Sequence, residues 1–367
     1  MDDRQVAPAG EVERVFGTPV GGPGVPIVEP VGHTVVASAT AGIWRVRVGE
    51  RSAVLKVLAH APGGTGNWRS GASEDHWYYW RREAEAYGSG LLASLAGGLR
   101  APTCHLVAER DDGSVALWLE DLRGAPATAW PIERYGAAAR HLGRAQGEFA
   151  CGRPPPTDRW LSRGWLRAYL TQRDGDLALL DDPTAWRHPL VAAAFPDPPV
   201  EELRAMRGGQ DRFLAALDAM PRTLAHLDLH PANLFDADGG TAVVDWAFVG
   251  IGALGEDPGN LVPDAALDFH VPPHQLDRLH ATVLDGYAAG LRDAGWDGST
   301  EQVRLSMAAT MAAKYAWIGP AILRATSEGR PLLNRRPVAE ALAAWAPTVD
   351  FLLARAREAA DLVGRLT

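Results

Sequence analysis

The residues from His226 to Asp257 read HLDLHPANLFDADGGTAVVDWAFVGIGALGED and hold the densest set of side chains able to do chemistry. His226, Asp228, Asn233, Asp245 and Asp257 follow one another at separations of two, five, twelve and twelve. Two short apolar runs, Leu234-Phe235 and Ala242-Val243-Val244, flank Asp236-Ala237-Asp238-Gly239-Gly240. Asp and Gly supply the positive φ that a tight hairpin needs, so the stretch reads as two strands and a turn. Folding that hairpin about Gly239 sets Asn233 opposite Asp245. An amide oxygen and a carboxylate then meet, and hard oxygen ligands in that number suit Mg²⁺, which keeps several waters and takes its other ligands from phosphates. Asp228 precedes the first strand on a loop that Pro231 stiffens. One carboxylate for an acceptor hydroxyl, with an Asn and an Asp for metal, is a layout for phosphoryl transfer. Asp236 and Asp238 read as solvated turn residues.

HLDLHPAN, followed by VVDW and then Asp257, resembles the aminoglycoside phosphotransferase family, the small-molecule relatives of protein kinases. That family writes H-x-D-x-x-x-x-N, then an apolar residue with Asp, then a further Asp. The resemblance implies a bilobal, protein-kinase-like α+β fold, with Asp228 as the catalytic residue and Asn233 and Asp245 as metal ligands. It implies that His226 and Asp257 support the catalytic loop, with Mg²⁺ as cofactor and ATP or GTP as phosphoryl donor. Two departures stand out. Leu227 occupies a position where the family often has Gly, and Trp246-Ala247 follow the metal Asp where protein kinases have Phe-Gly.

Other elements must bring a nucleotide to these groups. His33 to Val36, Ile43 to Val48 and Ala53 to Leu58 alternate as strands do, and Thr103 to Glu109 and Ser114 to Leu119 flank the turn signal Arg110-Asp111-Asp112-Gly113, which together predict a five-stranded antiparallel sheet with one helix. The small-residue loop Ala37 to Gly42 can offer Ser38, Thr40 and backbone N–H groups to phosphates, although it lacks G-x-G-x-x-G. Lys56 interrupts an apolar strand, where a charge needs a partner. Only Lys56 and Lys314 are lysines among 36 basic residues, so a lysine departs from the chain's habit. A compact ammonium suits the α- and β-phosphates. Its partner comes from a helix expected over Trp77 to Leu95, as Glu83 or Glu85. The resemblance favours Glu83, four residues before Tyr87. Pro62 to Ser73 reads as an insertion. By resemblance, Glu120 to Gly124 is the hinge, where Glu120 and Leu122 contact the base through their backbone.

From Ile132 onward apolar residues recur at helical spacing over Tyr135 to Phe149, Trp160 to Leu170, Val200 to Leu217, His274 to Arg292, Glu301 to Thr326 and Val338 to Val363. Asp158 and Thr300 are candidate N-caps, and Gly90, Gly124 and Gly152 candidate breaks. The expected organisation is a loosely held leader over 1–30, a nucleotide-binding lobe over 31–119, a hinge over 120–124 and a helical lobe over 125–367. Glu256, Asp264 and Asp268, with Asp174, Asp176, Asp181 and Asp182 in an insertion, are candidate unpaired carboxylates that would attract a cationic acceptor.

A net charge of −9, without a basic patch, argues against nucleic acid as a partner. No apolar run reaches the length of a membrane span. Cys104 and Cys151 read as reduced thiols of a cytoplasmic protein. The expected partners are therefore a nucleotide and a small acceptor, such as an aminoglycoside-type antibiotic or an amino sugar. The alternatives are a metabolic kinase of a neutral sugar or amino alcohol, a protein kinase, which the absent H-R-D, D-F-G and A-P-E oppose, and a pseudokinase nucleotide-binding module.

Overall fold

The computed structural model describes residues 6–17, 25–32, 39–60, 69–173 and 177–366. The expected strand at 33–36, Ser38, most of the 62–73 insertion, Asp174 and Asp176 lie outside the described residues. The chain divides into two compact units, one of Met1–Gly124, Thr157–Ser162 and Phe235–Val249, the other of Ala125–Pro156, Arg163–Leu234 and Gly250–Thr367.

In the first unit, β1 (Ile27–Pro30), β2 (Thr40–Val48), β3 (Arg51–Leu58), β5 (Cys104–Glu109) and β6 (Val115–Glu120) form an antiparallel sheet in the order β1-β2-β3-β6-β5. Helix α1 (Ala9–Phe16) packs Val12 and Phe16 against Val46, Leu55, Val57 and Trp118. Glu11 accepts from the Trp118 indole at 2.7 Å and pairs with Arg110 at 2.7 Å. The expectation of a loosely held leader is therefore corrected for 9–16, where apolar residues and one buried acid tie the segment to the sheet. The first strand of the sheet is 27–30.

Helix α2 is short, Arg82–Gly88. The longer helix expected over 77–95 is interrupted because Arg82 captures the carbonyls of His76 and Trp77, which a continuing helix would need for its own ladder. At the other end Gly90 takes a left-handed φ of 79°. A three-stranded sheet follows the order β4 (Leu99–Arg100), β10 (Gly240–Val243) and β9 (Leu234–Ala237). Asp238 and Gly239 both have positive φ in the β9–β10 turn, so the hairpin is expected in kind but is centred between these two residues and not on Gly239.

The second unit is mainly helical. After α3 (Ile132–Ala150) and the short β7 (Ser162–Arg163) come α4 (Trp165–Gln172), α5 (Pro183–Trp186), α6 (Pro189–Ala194), α7 (Val200–Gly208) and α8 (Gln210–Asp218). Strand β8 (Arg222–Ala225) pairs antiparallel with β11 (Gly250–Ala253). Helices α9 (Glu256–Leu267), α10 (Leu276–Asp293), α11 (Thr300–Lys314), α12 (Ile318–Ser327) and α13 (Val338–Leu366) complete it. Helix α4 starts at Trp165, later than expected, because Gly164 takes a φ of 70°. The single helix expected over 301–326 is two, since Pro320 in a continuous helix would clash with the carbonyl of Ala316. Ser299, not Thr300, caps α11, in a capping box with Gln302. None of the described helices is long and apolar enough to cross a membrane.

Candidate functional site

In the first unit Lys56 lies on β3, a central strand between β2 and β6. Alternation sends Ala53, Leu55 and Val57 to the α1 side and Lys56 to the opposite face. There its Nζ is 2.6 Å from Glu83 Oε2 and 2.7 Å from Asp245 Oδ1. The Lys56 and Glu83 side chains are 6% and 2% exposed, whereas Asp245 is 47% exposed. Burial works against the Lys56 charge, but Asp245 and Glu83 outweigh it and hold its pKa above the usual lysine value. For Glu83 burial dominates and raises the carboxyl, with Lys56 offsetting part of the rise. Glu85, the other candidate, pairs with Arg81 at 3.6 Å on a more exposed face.

Arg82 fixes the helix that presents Glu83. It is 1% exposed, and its guanidinium donates to the carbonyls of Trp160 at 2.7 Å, His76 at 2.8 Å, Trp77 at 3.1 Å and Ala247 at 3.2 Å. Ala247 lies two residues after Asp245, so one side chain ties helix α2 to the Asp245 loop. Phe248 stacks on Trp77 with ring centroids 5.7 Å apart, and Trp246 donates to the Val243 carbonyl at 2.8 Å. Asp245 itself has a φ of 62°.

Of the other nucleotide candidates, Thr40 starts β2 at an irregularity in its pairing with β3, half-buried. Glu120 has its carboxylate engaged by Arg100 at 2.6 and 2.9 Å, which holds its pKa below the usual range. Its N–H is given to Thr103 O at 2.8 Å and is therefore not available to a base. Leu122 is half-buried past the end of β6. Gly124 lies so close to the Asp236 carbonyl that a Cβ would come within 1.8 Å of its oxygen, which restricts the position to glycine.

In the second unit β8 runs into the loop that holds Asp228. Asp257, in the first turn of α9, accepts from the N–H of Leu227 at 2.7 Å, the N–H of His226 at 2.9 Å and Gln146 Nε2 at 2.7 Å. Burial raises the Asp257 carboxyl, with His226 and these N–H groups opposing the rise. Leu227 has a φ of 69° and is buried. Its carbonyl accepts from Asn260 Nδ2 at 3.3 Å. His226 Nδ1 accepts from the N–H of Asp228 at 3.3 Å. Asn233 donates its Nδ2 to the Asp228 carbonyl at 3.1 Å, leaving Oδ1 for a cation. Asp228 is half-buried.

Three residues of this loop's support were missed in the sequence. Tyr287 on α10 donates to Gln146 Oε1 on α3 at 2.6 Å and accepts from Gly255 N at 3.1 Å, while Asn260 on α9 holds the Leu227 carbonyl. For Gln146 and Tyr287 the only signal was a polar side chain inside a helical apolar pattern, and for Asn260 there was none.

The acidic residues expected to be unpaired are engaged. Asp264 Oδ2 lies 3.2 Å from Lys314 Nζ. Asp268 accepts from Asn334 Nδ2 at 2.9 Å, and burial raises its pKa. Glu256 is buried, accepts from the Ala253 N–H at 3.0 Å, and is pushed up to about 7 by burial. Asp181 pairs with Arg204, and Asp182 caps α5 by accepting from Thr184 N at 2.8 Å. The expectation of unpaired carboxylates is corrected for Asp264 and Asp181, which meet a cation, while Glu256, Asp268 and Asp182 are held by uncharged N–H donors.

Comparison with known proteins adds a family and a fold. The model of a phosphotransferase enzyme family matches residues 37–297. No curated protein matches. Among solved structures, an amicoumacin kinase in complex with AMP-PNP, Ca²⁺ and Ami is 13% identical, with a TM-score of 0.53, and the match covers 93% of this chain and 92% of that one. A putative aminoglycoside phosphotransferase from Ralstonia eutropha is 13% identical with a TM-score of 0.50, covering 92% of this chain and 94% of that one. A choline/ethanolamine kinase family protein from Mesorhizobium loti is 16% identical with a TM-score of 0.47, covering 94% and 97%. The fold is α+β and protein-kinase-like.

Proposed function

We propose that this chain, which belongs to the phosphotransferase enzyme family and is a small-molecule phosphotransferase, moves the γ-phosphoryl group of ATP or GTP to a hydroxyl of a small polar acceptor. The observation that supports this most is the buried Lys56–Glu83 pair with Asp245 on the same ammonium. A charge placed on a central strand and held by two carboxylates has no packing purpose that an apolar residue would not serve better. As the point cation for the α- and β-phosphates it has one.

In this reading Asp228 orients the acceptor hydroxyl and takes its proton as the new P–O bond forms and the bond to the β-phosphate oxygen breaks. Asp257, Asn260 and His226 keep Asp228 in place through the backbone that leads into it. Leu122 and the Glu120 carbonyl face the base, and Thr40 the phosphates. The Asp245 carboxylate and Asn233 Oδ1 are hard oxygen donors of the kind Mg²⁺ prefers and would hold it. When bound, the cation would neutralise charge on the phosphates. Catalysis then rests on positioning and electrostatics.

The acceptor classes differ in charge. An amine-bearing acceptor, such as an aminoglycoside or amino sugar, drew its support from free carboxylates, and Asp264 is occupied by Lys314. That pairing favours the second class, a neutral hydroxylated molecule such as a sugar. Together Lys56, Asp228, Asn233 and Asp245 argue against a pseudokinase, and Cys104 and Cys151, read as reduced thiols, support a cytoplasmic setting. The test is nucleotide consumption with ATP and GTP against a panel of aminoglycosides, sugars and amino alcohols, with product mass as readout. Acceptor-dependent release of the diphosphate supports the reading. No turnover with any acceptor, with nucleotide demonstrably bound, overturns it.

A further inference from the structure

Lys314 is the last residue of α11 and the second of the two lysines in the chain. Its side chain is 4% exposed. Besides Asp264, its ammonium faces three aromatic rings, Tyr315 at 5.3 Å, Trp165 at 5.5 Å and Tyr169 at 5.6 Å from the centroids. A cation within about 6 Å of such faces is attracted by the ring quadrupoles, and a carboxylate with several rings is the environment proteins build for a ligand ammonium. Here the occupant is the chain's own side chain.

The box adjoins the Asp228 loop. Asp257, Asn260 and Asp264 are spaced by three and four residues on α9 and so share one face. The first two hold Leu227 by its N–H and its carbonyl. One turn further, Asp264 holds Lys314. Tyr315 donates to the Asn260 carbonyl at 3.1 Å, tying the box to the same brace. Asp228 also adds to the field that keeps Lys314 charged against its burial. A helix C-terminus favours a lysine, but that does not require the ammonium to be buried. An apolar side chain would fill the same rings without the cost of desolvating two charges.

We propose that Lys314 is a specificity-determining residue for the phosphotransferase reaction, a built-in ammonium that fills an acidic and aromatic box beside Asp228 and so selects an uncharged hydroxyl compound over a cationic one. The proposal rests on the phosphotransferase reading given above. Wild-type enzyme then prefers a neutral sugar to the corresponding amino sugar.

The experiment uses the full chain as wild type, Lys314→Ala and Lys314→Ala/Asp264→Asn. The probe is n-butylammonium, with n-butanol and sodium chloride as controls. Its first readout is melting temperature, which needs no known acceptor. Lys314→Ala should be stabilised by n-butylammonium and by neither control, while wild type and the double variant should not respond. Where Lys314→Ala does not fold, refolding in n-butylammonium but not in n-butanol gives the same answer. Equal effects of amine and alcohol, or none, overturn the box. The second readout is the ratio of kcat/KM for a neutral sugar to that for its amino counterpart at low salt. This ratio should fall about tenfold or more in Lys314→Ala, as removal of a like charge at close range predicts. An unchanged ratio in a folded, active variant overturns the specificity role. Loss of the phosphotransferase reading would show differently, as a wild type that phosphorylates nothing.

Discussion

Replacing Lys56 by Met tests whether the buried ion pair is what the geometry says it is. Met keeps most of the stem's length and packing, so the main loss is the ammonium. Asp245 is 47% exposed, and water compensates it, as for surface pairs worth about 0–1 kcal/mol. Glu83 is 2% exposed and would be left as a buried carboxylate without its cation, which costs about 3–5 kcal/mol. That cost has a pH signature. Burial already raises the Glu83 carboxyl, with Lys56 opposing the rise, so loss of the ammonium raises it further. A folded-state pKa above the unfolded value of about 4.3 means that the folded state binds the proton more tightly. The contribution to stability is then greatest at low pH and is lost as pH rises through the window between the two values, by about 1.4 kcal/mol per unit. Urea unfolding of wild type and Lys56→Met from about pH 5 to about pH 8 should therefore show a destabilisation that grows with pH toward about 3–5 kcal/mol. Lys56→Met/Glu83→Leu should recover most of it, since replacing both partners by apolar groups is often neutral. A loss that is equal at every pH, or a double variant as unstable as the sum of the singles, would refute the reasoning.

Three other outcomes follow from the site. Asp228→Ala should lower kcat by about 10²–10⁴-fold if it takes the hydroxyl proton, while nucleotide affinity and melting temperature stay close to wild type. Retained turnover would remove that role. Asp245→Asn and Asn233→Ala should each weaken Mg²⁺-dependent nucleotide binding in a calorimetric titration, and unchanged dependence in both would break the metal assignment. Leu227→Ala should be destabilised by about 2–5 kcal/mol through lost burial, whereas Leu227→Gly, relieved of a left-handed strain of about 1–2 kcal/mol, should recover part of that loss. Equal unfolding midpoints for the two variants would show that the φ of 69° carries no strain.

Where period and turn chemistry agreed, the fold could be read directly. The strand around Lys56 alternates in burial over its first half and is wholly buried over its second, and Asp238-Gly239 has the dihedrals that its residue types require. Glu83 could be narrowed only to a pair with Glu85, because helical spacing says which face a residue occupies and not where the facing cation lies. Helix α9 was not foreseen at all. Proline disfavours a helix interior, yet Pro258 sits in the first turn, where no N–H is needed, and the helix runs through Pro263. The N-terminal helix was hidden for another reason, since a single amphipathic turn or two beside glycine-rich sequence gives little periodicity. The acceptor argument failed on long-range pairing. Lys314 and Asp264 are fifty residues apart, and counting charges along the chain treats both as solvated.

Leu227 shows how a departure from a family's pattern can conceal an unchanged geometry. Glycine is common at that position in the family, and a leucine there reads as a loss of backbone freedom. The structure gives Leu227 the left-handed φ that glycine would adopt readily. A branched residue tolerates this only if its surroundings over-determine it. They do so here, because Asp257 takes the N–H, Asn260 holds the carbonyl, and the side chain is buried at 1% exposure. Burial of a leucine contributes about 1.5–3 kcal/mol, enough to offset the strain. Asp245, on the first unit, takes a similar φ of 62° and is anchored by Lys56. Asp228 and Asp245, two of the residues proposed to meet substrate or metal, thus stand beside or at a left-handed residue that a buried partner holds. Asp and Asn adopt such a backbone more readily than most residues, so the strain at Asp245 was compatible with its residue type, while that at Leu227 became visible only once α9 was seen to supply Asp257 and Asn260 on one face.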